Sequence, residues 1–229
     1  MIIRWNLAVL CLAALCASAR AAEPISYTFS PQFPGTIVQS RSVYLAGEGK
    51  HTPWRAVLSK KLVGSGNGIS FYQWFLSFYA GDGTTYHLKY RSPNARVPFE
   101  KVAKADGASM WFPVQDAKIV GTGEFMGPGS QQLVVQSHEG GGDCGMARVD
   151  VFYFGAAMQT VMTTLSVQNS CDLSASIIHE ARGDALKLSG PFYNSSAPLC
   201  CPTKPDATAI LRFNNGTWTA TAQYFKILK

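Results

Sequence analysis

At 229 residues and 24.8 kDa, the chain has room for one large or two small domains and for a core of real size. Charged residues make up 15% and hydrophobic ones 47%, with 21 Gly and 12 Pro. That balance excludes a disordered chain or a coiled coil and leaves a compact, turn-rich, β-leaning protein. The formal charge is +6, from 20 basic and 14 acidic residues.

The amino terminus reads as a signal peptide. Arg4 supplies a positive start, residues 7–17 form an unbroken apolar run, and Ala17-Ser18-Ala19 with Arg20-Ala21-Ala22 offers small-residue cleavage sites. The run is too short for a bilayer-spanning helix, which needs about 20 residues. No transmembrane segment is therefore expected after cleavage. Leu15 stands before Cys16, where a lipid-attachment signal wants a small residue. Cleavage after Ala21 removes Arg4 and Arg20 and lowers the formal charge from +6 to +4. The remaining cations look scattered, with Lys60-Lys61 and Arg91/Arg96 the nearest to clusters. A solvated surface fits this pattern, and a nucleic-acid site does not.

Strand periodicity dominates the mature chain. Residues 70–79 (SFYQWFLSFY) are dense in aromatics, Ala80-Gly81-Asp82-Gly83 makes a turn, and residues 84–90 (TTYHLKY) alternate, which predicts a hairpin. In the first of these strands Tyr72, Trp74, Leu76 and Phe78 fall on one face, and Phe71, Phe75 and Tyr79 on the other. A strand buried on both sides has this pattern, and so does an aromatic binding platform built on Tyr72 and Trp74. A short helix is expected over residues 99–105, ended by Asp106-Gly107. A second hairpin is predicted from residues 131–137 (QQLVVQS) and 146–154 (MARVDVFYF), with His138 to Gly145 as its glycine-rich loop. Residues 174–180 and 185–189 flank Arg182-Gly183-Asp184 in the same manner. The last hairpin joins residues 208–213 to 217–225 through Asn214-Asn215-Gly216, whose residues suit positive φ.

Lys61-Leu62-Val63-Gly64-Ser65-Gly66 recurs 57 residues later as Lys118-Ile119-Val120-Gly121-Thr122-Gly123. The mature chain is too short for the four or so blades a propeller needs at that period. The expected architecture is all-β, with two antiparallel β units forming a sandwich or barrel-like meander. The boundaries are a signal peptide over 1–21, an N-terminal unit over 22–113, and a C-terminal unit over 114–229 stapled by disulfides.

The staples would come from Cys144, Cys171, Cys200 and Cys201, the four cysteines left after cleavage. Of three possible pairings, Cys144–Cys171 is favoured, with Cys200 and Cys201 as a vicinal bridge or free thiols. Zinc is the rival use, but its motifs space cysteines by two to four residues.

Two motifs carry a resemblance to known families. Residues 120–135 (VGTGEFMGPGSQQLVV), followed by a glycine-rich loop and an aromatic strand, look like the strand-loop-strand of FG-GAP-type secreted bacterial β proteins. Pro198-Leu199-Cys200-Cys201-Pro202-Thr203 before a hairpin resembles the CCP element of exported bacterial proteins around the LppP/LprE lipoprotein family. Together they cover about residues 114–225 and imply an exported all-β protein; those families are largely without an assigned activity. Two departures matter. Glu124, Met126 and Pro128 stand where the calcium-binding loop carries Asp or Asn, and calcium needs six to eight oxygens, so no metal is expected there. The lipid-attachment cysteine is also missing, so no membrane anchor carries over.

His138-Glu139-Gly140-Gly141-Gly142-Asp143-Cys144 is the most reactive-looking stretch, with an imidazole, two carboxylates and a thiol in one loop. It lacks the second histidine of a zinc-protease helix, and glycines make a poor platform for catalysis. No catalytic residue, metal or cofactor is expected; His138, Glu139 and Asp143 join Tyr72 and Trp74 as possible binding residues. The expected function is that of a periplasmic or secreted non-catalytic envelope protein that binds a protein or cell-wall ligand. Its alternatives are a periplasmic inhibitor or immunity protein against a secreted enzyme, and a hydrolase using the His138 loop.

Overall fold

A computed structural model describes residues 27–44, 54–66, 69–91, 102–103, 109–110, 114–129, 131–139, 146–154, 160–167, 173–192, 203–221 and 227–228. Residues 1–21, expected to be a signal peptide, lie outside them, as do Asp143, Cys144, Cys171, Cys200 and Cys201, and with these the disulfide expectation. Among the described residues every regular element is a strand. The protein is all-β.

The N-terminal sheet holds β1 (Thr28–Ser30), β2 (Thr36–Val43), β3 (Trp54–Gly66), β4 (Ile69–Gly81) and β5 (Thr85–Arg91), in the order β1-β5-β4-β3-β2. Its pairs are antiparallel except β1, which runs parallel to β5. A two-stranded pair, β6 (Val102–Ala103) and β7 (Ser109–Met110), follows. It replaces the helix expected over residues 99–105 at its centre: Val102 is β-branched and pairs with Met110.

The C-terminal half supplies two sheets. The middle one orders β16 (Ile227–Leu228), β11 (Thr160–Val167), β10 (Met146–Phe154), β9 (Gln132–Glu139) and β8 (Val114–Gly123). The C-terminal one orders β12 (Ser174–Ile178), β13 (Ala185–Phe192), β14 (Lys204–Asn214) and β15 (Thr217–Ala220). None closes into a barrel.

Hydrophobic patterning stacks these sheets in three layers. Leu133 and Val135 of β9 and Phe152 of β10 pack with Trp54, Ala56 and Leu58 of β3 and Trp74, Leu76 and Phe78 of β4. The other face of the middle sheet offers Val134, Ala147, Val149 and Val151 to Leu186, Leu188, Ala209 and Leu211. A sheet covered on both sides needs strands that are apolar on both faces, which is why LVV and VDVF read as near-continuous runs. β4 obeys the same logic. Trp74, Leu76 and Phe78 enter the inter-sheet core, while Tyr79 turns outward and is buried with Val57 and Tyr86 under Tyr27, Phe29 and Phe33. That outer aromatic cluster is held by edge-on ring contacts, such as Phe29 on Tyr79 at 4.8 Å, each worth about a kcal/mol beyond its area.

Two local features match their sequence signals. Asn215 and Gly216 take positive φ of 49° and 80° between β14 and β15, the geometry of the favoured hairpin turn. The six-residue echo is a geometric repeat as well. β3 slips register between Leu62 and Gly64, and β8 slips between Ile119 and Gly121, so a bulge forms at the same Val in each copy, Val63 and Val120.

Candidate functional site

His138 is not in the glycine-rich loop. It pairs with Ala147 and Asp116, and Glu139 pairs with Met146 and Val114, so both belong to β9. The strand continues because β8 and β10 extend alongside it and offer backbone partners to residues that look loop-like in isolation.

On β9, Gln132, Val134, Gln136 and His138 share the face toward the C-terminal sheet, by the two-residue alternation of a strand. Gln136 is fully buried. Its Oε1 accepts the backbone N–H of Ala175 at 3.0 Å, and its Nε2 donates to the carbonyl of Leu173 at 2.5 Å. These two backbone groups settle which end of the amide is which. The second Nε2 hydrogen therefore meets His138 Nε2, 3.1 Å away, which must accept it. The imidazole proton then sits on Nδ1, where Asp116 Oδ1 accepts it at 3.1 Å. A chain of hydrogen bonds runs from the surface carboxylate of Asp116 through His138 and Gln136 to the start of β12. The ring nitrogen that a general base would use is engaged by a scaffold amide.

A second polar centre lies where the loop after β8 meets the loop between β12 and β13. Asp184, 8% exposed, accepts the N–H of Glu124 at 2.8 Å and the Nδ1–H of His179 at 3.0 Å through Oδ2, and the N–H of Glu180 at 3.3 Å through Oδ1. Its own N–H returns to the Glu124 carbonyl at 3.2 Å. The Glu124 carboxylate, the one possible ligand in the calcium-like loop, accepts the N–H of Gly129 at 3.1 Å. Its oxygens serve to shape the loop. Phe125 of the same loop enters the core and packs on Trp218 at 5.4 Å. Nearby, Arg212 donates to Glu180 through Nε and Nη2 and holds its carboxyl below the usual carboxylate range. Among the described residues no group of three or more His, Cys, Asp or Glu is placed to hold a metal ion.

The third region is a projecting ribbon. β2 stops pairing at Thr36 opposite Lys60, yet β3 and β4 stay paired out to Gly66 and Ile69. Gly35 turns the chain away here with φ 73°; a Cβ on it would strike the Lys60 carbonyl at 2.2 Å. Leu62 and Val63 on the ribbon are 54% and 60% exposed, and Ile37 and Val38 at its base are 38% and 39% exposed. Lys60 Nζ lies 4.4 Å over the Tyr72 ring and 5.6 Å over Trp74.

The residues singled out from sequence thus separate. Trp74 is core, 3% exposed; Tyr72 is half-buried at the root of the ribbon. His138 and Glu139 sit on another sheet, and Asp143 is outside the described residues. No family model, curated protein or solved structure matches this chain. Sequence reasoning passed over Asp116, Gln136, Asp184 and the exposed aliphatics. Gln132 and Gln136 did carry a signal, since two glutamines on one face of an otherwise apolar strand ask for buried partners.

Proposed function

We propose that the chain is an exported, non-catalytic binding protein of the periplasm or cell exterior, engaging a protein or cell-wall partner. The observation that carries this reading is the commitment of His138: Asp116 and Gln136 occupy both ring nitrogens and tie the most reactive-looking side chain into the hydrogen bonding of the middle sheet. Glu124 and Asp184 are spent likewise on backbone N–H groups. Exposed apolar side chains lie elsewhere, Leu62 and Val63 on the ribbon, Ile37 and Val38 at its base, and Tyr44 and Met126 apart from it, as expected of a protein that works by contact.

The test uses the chain beginning at Ala22, assayed for turnover of peptidoglycan, peptide and ester substrates and for retention on peptidoglycan or envelope proteins. The expected result is retention without turnover, unchanged when His138 and Glu139 are both replaced by Ala. Turnover abolished by that double substitution in a folded protein would restore the hydrolase alternative. Amino-terminal sequencing of the native protein should find a start at Arg20 or Ala22; an intact Met1 would remove the export proposal.

A further inference from the structure

The five strands of the N-terminal sheet contain no Asp or Glu. They contain Arg41, Arg55, Lys60, Lys61, Lys89 and Arg91, cations far apart in sequence that pairing gathers into one layer. Among the described residues Arg148 is paired with Asp150 and Arg212 with Glu180, both in the C-terminal half. Arg55 and Arg91 are held by uncharged oxygens, the Tyr27 hydroxyl for one and the Ser77 and Tyr79 hydroxyls for the other. Cations thus occur in both halves, but the strands of this sheet carry them without any acid, and the same sheet bears the exposed aliphatics Ile37, Val38, Leu62 and Val63.

We infer that the ribbon of β3 and β4 docks on an anionic phospholipid bilayer, with Lys60 and Lys61 at the phosphate layer and Leu62 and Val63 in the outer hydrocarbon. The inference rests on the extracytoplasmic binding reading and adds a surface that reading does not name. Charge complementarity calls for an anionic partner. The aliphatics select among anions, since a sugar-phosphate or polysaccharide chain gives Leu and Val nothing to bury against, whereas a bilayer sets hydrocarbon beneath its phosphates. The distribution of groups also favours a deformable medium over a protein groove. Leu62 stands opposite Tyr72 on the core-side face, while Lys61, one residue along, and Ile37, opposite Ser59, belong to the outward face. Both faces of a narrow ribbon are wetted together only by a phase that surrounds it. The Val63 bulge leaves that side chain the most exposed of the four, and Lys60, lying along the Tyr72 ring, has an apolar stem and a charged head as interfacial lysines do.

The experiment is co-flotation of the chain from Ala22 with vesicles of phosphatidylglycerol and phosphatidylethanolamine, against vesicles of phosphatidylcholine alone. Binding is expected to the anionic vesicles only and to weaken with added salt. Lys61→Gln should weaken it roughly fivefold, and Leu62→Ser with Val63→Ser about tenfold, with circular dichroism confirming the fold of each. Three results overturn the proposal: no flotation with either vesicle, equal flotation with both, or flotation that Leu62→Ser/Val63→Ser leaves unchanged in a folded protein. Retention on polyglutamate without flotation would make the sheet a docking face for acidic protein and also overturns it. Each of these leaves the peptidoglycan and envelope-protein arms of the earlier test standing, so the two readings fail separately.

Discussion

The side chain of Gln136 accepts the backbone N–H of Ala175 at 3.0 Å, across the boundary between the middle and C-terminal sheets. Neither group reaches water, so the bond satisfies a buried donor at the start of β12 as well as tying two layers together. Gln136→Leu keeps the volume and removes the partners of both Ala175 N–H and Leu173 C=O. It should cost about 2–3 kcal/mol. His138→Ala, which removes only the half-exposed end of the chain, should cost about 1 kcal/mol or less. Urea titration of both variants checks the ranking, and equal losses would mean that the imidazole anchors the amide.

Asp184 performs the same office with charge. Its carboxylate takes backbone N–H groups from Glu124 and Glu180, which belong to the two loops it joins. Asp184→Ala should destabilise by ~2–4 kcal/mol, because Glu124 N–H is left without its acceptor at a poorly hydrated site. Hydrogen exchange should then speed first at residues 124–129 and 179–184, and a loss confined to β14 and β15 would contradict this assignment.

The middle sheet carries a buried charge pair. Arg148 Nε meets Asp150 Oδ1 at 3.0 Å from the neighbouring same-face position of β10, with side chains 9% and 0% exposed. Asp150→Ala, which takes the carboxylate away from Arg148 Nε, should cost about 3–5 kcal/mol, whereas Arg148→Met with Asp150→Leu, which removes both charges together, should cost less. Thermal unfolding of the single and double variants decides it, and a double variant as damaged as the single would show that the pair itself contributes stability.

Asp82 gives the β4–β5 hairpin a pH dependence of known sign. Its Oδ1 accepts from Thr85 N–H at 2.8 Å, Thr84 N–H at 2.9 Å and Thr84 Oγ1 at 3.0 Å, which lowers its pKa from 3.8 to about 2. A carboxyl depressed in the folded state stabilises above its unfolded value and loses that contribution as pH falls through the folded one. The melting temperature of the unaltered chain should therefore exceed that of Asp82→Ala by a constant amount above pH 3.8, and the gap should close toward about pH 2. A gap that widens on acidification would refute the hydrogen-bond origin of the shift.

Local chemistry alone determined much of this protein. Alternation and continuous apolar runs made it all-β, Asn215-Gly216 set a turn, and the two faces of β4 were visible in the spacing of Trp74, Leu76 and Phe78 against Phe75 and Tyr79. Those signals are legible because strand periodicity and positive-φ preference act within a few residues. What needed the tertiary structure were the relations between distant residues. His138 looks like a loop residue until β8 and β10 flank it, and Asp116 and Gln136 become its partners only across strands. Six cations that look dispersed along the chain fall in one sheet whose strands carry no acid, because strand pairing rather than sequence distance sets which charges are neighbours. The division of the C-terminal half into two stacked sheets likewise followed from which faces found partners, since a strand apolar on both sides states that it is covered twice but not by what.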